Sequence, residues 1–205
     1  MQLWLIKKSN NGHGGSIMDE MIKPGVKKFL EKCRDNGFQT SYANNIDSLL
    51  SVLSGWAVNW GVKKIVLGGL SMGLAEKIRG ELAAKKGYEI LEIGEALEGL
   101  EGLRTGSMGI FRARAGVEET GGLVVLDDWA SNLASLIPAY AVGLIEEDEV
   151  LRDYWMLAGL IRQNRPGGLV IISGPSSTSD IELTHVVGVH GPVGAGCIVV
   201  GFELD

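Results

Sequence analysis

Short apolar runs alternate with segments bearing one apolar stripe along most of this sequence, and that alternation admits few folds. Val26, Phe29, Leu30 and Cys33 fall at i, i+3, i+4 and i+7 of a helix over 24–36, with Gly37 placed to end it. A strand over Phe38–Ala43 follows. Asn45 then caps a helix whose Ile46, Leu49, Leu50, Leu53, Ala57 and Trp60 form one stripe, terminated by Gly61. The unit repeats as a strand over Lys63–Gly68, a helix from Ser71 to Lys86 and a strand over Tyr88–Ile93. Further on come a strand over Leu123–Leu126, a helix from Asp128 through Ile137 and a strand over Tyr140–Ile145. The acidic run Glu146–Glu149 reads as the solvated first turn of a helix burying Val150, Leu151, Tyr154, Leu157 and Ile161. Strands over Leu169–Ser173 and Cys197–Phe202 complete the pattern. Only 94–109 reads equally as a short helix or a Gly-punctuated loop. The expectation is a single α/β domain over residues 1–205: a mostly parallel sheet with helices on both faces. Residues 1–20 are read as flexible at the Gly-rich stretch Ser9–Ser16.

Composition removes several function classes. The chain has 30 Gly, about twice the usual ~7%, which suits many tight strand-to-helix turns. Its formal net charge of −6 makes it a poor partner for a phosphate backbone, so no nucleic acid is expected. Two cysteines, Cys33 and Cys197, exclude a disulfide framework and point to a cytoplasmic home. They also fall short of the ~4 ligands an iron–sulfur cluster takes, so no cofactor is expected on this chain. Met1–Ile6 is apolar but precedes Lys7 and Lys8, the reverse of a signal peptide. The uncharged stretch Leu183–Phe202 is interrupted by His185, His190, Pro192 and several glycines, so no membrane span is expected.

Ligands of open α/β sheets bind beyond the carboxyl ends of the strands, which directs attention to three exits. Gly68-Gly69-Leu70-Ser71-Met72-Gly73 lacks both the dinucleotide spacing and a P-loop lysine, and reads as a tight turn with Ser71 as N-cap. In Glu118-Glu119-Thr120-Gly121-Gly122, a carboxylate beside a Gly turn is a candidate nucleophile or base, Glu119 above all, or else an ordinary solvated turn. Ser173-Gly174-Pro175-Ser176-Ser177-Thr178-Ser179-Asp180 sets four consecutive hydroxyls, Ser176 to Ser179, before an expected short helix. That is an anion cradle, or a capping box needing no ligand. His185 and His190, five apart on a strand, face opposite ways and cannot share a metal. His190 alone, before Gly191-Pro192, is a candidate acid–base group.

At these loops the sequence acquires a family likeness. Gly174-Pro175-Ser176, Thr178-Ser179-Asp180-Ile181-Glu182 and Gly188-Val189-His190-Gly191-Pro192 resemble the GPS-x-TADIE…GVHGP signature of the lactate utilization protein C family, the LUD domain. GIFRARAGVEETG, residues 109–121, is similar to that family's GVTGADAAIAETG. The resemblance covers roughly residues 20–205. It implies a three-layer fold like that of CoA-transferases and sugar-phosphate isomerases. It further implies a subunit supporting oxidation of L-lactate or a related 2-hydroxy acid, with iron–sulfur partner proteins carrying any cluster. Homo-oligomers are compatible with it. The implied cleft comprises Glu119, Thr120, Gly121, Gly174, Pro175, Ser176, Thr178, Asp180 and His190, facing a small anionic ligand. The alternative is a stand-alone transferase-like enzyme in which Glu119 carries the acyl group. Four positions depart from the family pattern: Arg114 for Asp, Glu118 for Ala, Ser177 for a common Arg or Lys, and Tyr140 near the usual His.

Overall fold

A computed structural model describes residues 22–96, 99, 102–175, 177–179, 185–187 and 191–204. Its centre is a six-stranded, wholly parallel sheet in the order β1-β12-β7-β4-β2-β3. These strands are β1 Phe38–Ala43, β2 Lys64–Gly68, β3 Glu89–Glu92, β4 Ser107–Arg112, β7 Tyr140–Glu146 and β12 Gly194–Val200. The central strands read as near-continuous apolar runs because both faces are covered.

One face carries α2 (Ile46–Asn59) and α3 (Met72–Ile78), the latter continued by a π-helical turn (Arg79–Ala83) and a last turn, α4 (Ala84–Lys86). Leu49, Leu53, Ile78 and Leu82 pack there on Ile65, Leu67, Ile110 and Ile198. The start of α2 is built as expected: Asn45 Oδ1 accepts from the Ser48 N–H, and Ser48 Oγ accepts from the Asn45 N–H. The other face carries α1 (Pro24–Asp35), the short α5 (Ile93–Ala96) and α6 (Trp129–Leu136), around Phe29, Phe111, Leu123 and Val199. Asp128 caps α6 through the N–H groups of Ala130 and Ser131.

A second, four-stranded mixed sheet completes that face, in the order β8-β5-β6-β9. It consists of β5 Ala115–Val117, β6 Gly122–Leu126, β8 Val150–Leu151 and β9 Leu169–Ile172, covered by α7 (Tyr154–Asn164). The parallel sheet with flanking helices is therefore as expected, and the mixed sheet is an addition. The ambiguous stretch resolves into α5 and then β4, a central strand. The helix expected from Glu146 does not form. Glu147–Glu149 is a 3₁₀ turn, Val150–Leu151 is a strand, and α7 begins only at Tyr154, capped by Asp153. Ser177–Ser179 is a strand, β10, paired antiparallel with β11, His185–Val187, and the short helix expected after it lies outside the described residues.

Candidate functional site

Two of the singled-out segments, far apart in sequence, meet at the carboxyl end of α1. The Asn36 side-chain amide donates to the Thr120 carbonyl at 2.6 Å, and the Cys33 thiol donates to the Gly121 carbonyl at 3.3 Å. Gly121 lies at φ +67° directly over the Lys32–Cys33 backbone, and Gly174 at φ +130° over the Asn36 carbonyl. At either glycine a side chain would meet backbone, so the close approach requires the missing Cβ. The Pro175 ring lies against Gly37. Thr120, Gly121, Gly174 and Pro175 thus form one cluster. Thr178 sits opposite Val186 in the β10–β11 pair. Ser176, Asp180 and His190 lie outside the described residues.

Glu119 is exposed at the rim of this cluster. The neighbouring Thr120 hydroxyl lies 3.3 Å from the Tyr154 hydroxyl. Glu118 is half-buried and turned towards Lys28, at 3.6 Å. The turn spends its own donors internally. The N–H groups of Glu118 and Glu119 bond the Leu151 and Arg152 carbonyls, and those of Thr120 and Gly121 bond Val117. None of the four is left to stabilise an oxyanion beside Glu119.

The sequence reading missed the most buried charge. Arg112, at the carboxyl end of β4, is only 2% exposed. Its guanidinium donates to both carboxylate oxygens of Glu149, at 2.6 and 2.9 Å, and to Glu146 at 2.9 Å. Its Nε has no partner among the described residues. Glu146 also accepts from the Leu204 N–H at 3.0 Å, and the Leu204 carbonyl accepts from the Ser71 hydroxyl at 2.8 Å. Glu147 accepts from the Tyr42 hydroxyl at 2.9 Å, and Lys23 pairs with Glu147 at 3.0 Å and with Asp148. Burial, and then the bond to Glu147, push the Tyr42 hydroxyl above its ordinary pKa. The acidic run is therefore a hub rather than a solvated turn. The available signal was an arginine ending an apolar run, S-M-G-I-F-R, in a chain whose next parallel strand ends in glutamate.

The two cysteines, distant in sequence, come together in the core. A hydrogen bond with Cys33 and complete burial hold the Cys197 thiol well above its ordinary pKa. Among the described residues no group of three His, Cys, Asp or Glu side chains could hold a metal. No helix among them is long and apolar enough to cross a membrane.

A parallel sheet sandwiched between helices, with glycine-built loops at its edge, defines a layered α/β protein. Within that class the chain belongs to the LUD domain family, whose model matches residues 26–200. It is 31% identical over 136 residues to the uncharacterized protein YkgG of Escherichia coli K12, a match covering 63% of this chain and 57% of that one. It is 23% identical over 204 residues to lactate utilization protein C 1 of Bacillus mycoides, covering 96% of this chain and 86% of the relative. The crystal structure of a DUF162 family protein from Deinococcus radiodurans shares the fold, with a TM-score of 0.59, 20% identity and coverage of 86% and 96%.

Proposed function

We propose that this chain is a LUD-domain subunit supporting the oxidation of L-lactate or a related 2-hydroxy acid, together with iron–sulfur partner proteins. The observation that carries the reading is the end-to-end match, 96% of this chain on 86% of a lactate utilization protein C. Removing two electrons from a 2-hydroxy acid requires an acceptor. Two cysteines buried as a thiol pair cannot supply the ~4 ligands of a cluster, which supports placing the acceptor on a partner. The small carboxylate ligand is assigned to the cluster of Thr120, Gly121, Gly174 and Pro175, and the family likeness adds Ser176, Thr178, Asp180 and His190 as candidates.

The transferase-like alternative asks Glu119 to attack an acyl carbonyl and carry the acyl group as an anhydride. Its exposure favours access. The internally spent N–H groups of its turn count against it. The deciding experiment is affinity purification at native expression, read for iron–sulfur proteins, alongside growth of a deletion strain on L-lactate. Complementation by Glu119→Gln as well as by the wild type is expected. Loss of complementation by Glu119→Gln, with an acyl adduct trapped at Glu119 from acyl-CoA thioesters, would replace this reading by the alternative.

A further inference from the structure

The backbone donors of the turn Glu118–Gly121 are engaged, but the hydroxyls gathered around it are not. Leu123 of β6 pairs with Ile172 of β9, so Gly122 and Ser173 stand next along the two antiparallel strands. A Cβ at Gly122 would lie 2.8 Å from Ile171 Cγ2, 3.4 Å from Ser173 Oγ and 3.5 Å from Thr120 Oγ1. The missing side chain therefore leaves a notch bordered by two hydroxyls. The Tyr154 hydroxyl adds a third, 3.3 Å from Thr120 Oγ1. Its place is fixed by the backbone. The N–H groups of Glu118 and Glu119 bond the Leu151 and Arg152 carbonyls, and Asp153 caps the first turn of α7 through the Met156 N–H. Ser173 and Tyr154 are exposed and Thr120 is half-buried. Among the described residues these three hydroxyls make no bond besides the Thr120–Tyr154 contact.

We propose that Tyr154 and Ser173 join Thr120 as ligand-binding residues, the three hydroxyls holding the carboxylate of the 2-hydroxy acid; this rests on the role proposed above. The number of donors selects the group that is held. Three hydroxyls carry three protons, and the Thr120–Tyr154 contact engages one of them. The two that remain match the two oxygens of a carboxylate, and O–H bonds to a charged oxygen are the short, strong kind. A phosphate presents three acceptor oxygens and more charge, so it would call for a further donor and a cation. Lys28, Lys32 and Arg152, the basic residues around this turn, each face a carboxylate instead. Neither Tyr154 nor Ser173 belongs to the segments that carry the family likeness. Tyr154 comes from the start of a helix and Ser173 from the end of a strand, and only the fold brings them to Thr120.

The test is isothermal titration calorimetry of the full chain with L-lactate and glycolate. Tyr154→Phe and Ser173→Ala each remove one donor and are expected to raise the dissociation constant about tenfold. Tyr88→Phe, beside β3 at the far edge of the central sheet, leaves it unchanged. Each loss is larger for L-lactate than for neutral lactamide, because a bond to a charged oxygen is about twice as strong. Equal losses for the two ligands would mark a structural effect alone and overturn the proposal. So would a dissociation constant that Thr120→Ala raises while Tyr154→Phe and Ser173→Ala do not, and the ligand would then keep its place at the cluster. Failure of the wild type to bind either acid at millimolar concentration would remove the ligand from the cluster and the proposal with it.

Discussion

Arg112 shows what one residue can demand of a fold. Its charge, taken out of water, is tolerated only because two carboxylates from the end of β7 and the following turn close around it. Arg112→Met keeps much of the volume but leaves Glu146 and Glu149 facing each other without a cation. The expected cost is about 3–5 kcal/mol, read as a lower urea midpoint at neutral pH. Part of this was legible beforehand. Asn45, Ser71 and Asp128 cap their helices as their positions in the sequence indicate, because capping is a local bond within three residues. The Arg112 cluster was not legible, since a sequence read in windows cannot show that residues 34 and 37 positions apart share one site. The meeting of Thr120 and Gly174 at Asn36 was hidden for the same reason. Motif likeness named both segments without their geometry.

At the level of elements, α6 lies unusually close to the sheet. A methyl group at Gly109 of β4 would run into the Ala134 carbonyl, and one at Gly68 of β2 into the Ala130 carbonyl. Backbone cannot give way as a flexible side chain can, so α6 must lift off if either glycine is replaced. Gly109→Ala is therefore expected to destabilise by about 1–3 kcal/mol, against the small gain alanine otherwise brings to a strand. Thermal unfolding followed by circular dichroism would register it, and an unchanged midpoint would contradict the tight docking. The strands and helices themselves were largely readable from period and terminators. Where reading failed, at Glu146–Leu151, a run of acids before apolar residues suits a helix start as well as a 3₁₀ turn entering an edge strand. Tertiary pairing of β8 with β5 made the choice.

For the whole molecule, the Glu146–Glu149 segment ties β1, β4, α1 and the 201–204 tail together. The tie depends on proton occupancy at Tyr42. Its folded pKa is raised above 10.0, so the stability it contributes is intact below that value and is lost as pH rises through the folded one. Tyr42→Phe should flatten the alkaline limb of a stability–pH profile measured by urea unfolding, while costing little at neutral pH beyond one half-buried hydrogen bond. An alkaline limb identical in both proteins would mean that another group sets it. The hub also has a consequence for chain connectivity. Lys23 and Leu204 both hold this one four-residue segment, so those distant chain positions lie within a few side-chain lengths of each other. A short peptide bridging 23 and 204 would close the backbone into a ring, and the ring could be cut at an exposed turn such as Gly87. Every strand pairing would survive such a circular permutation. The order of synthesis is thereby separable from the order of packing.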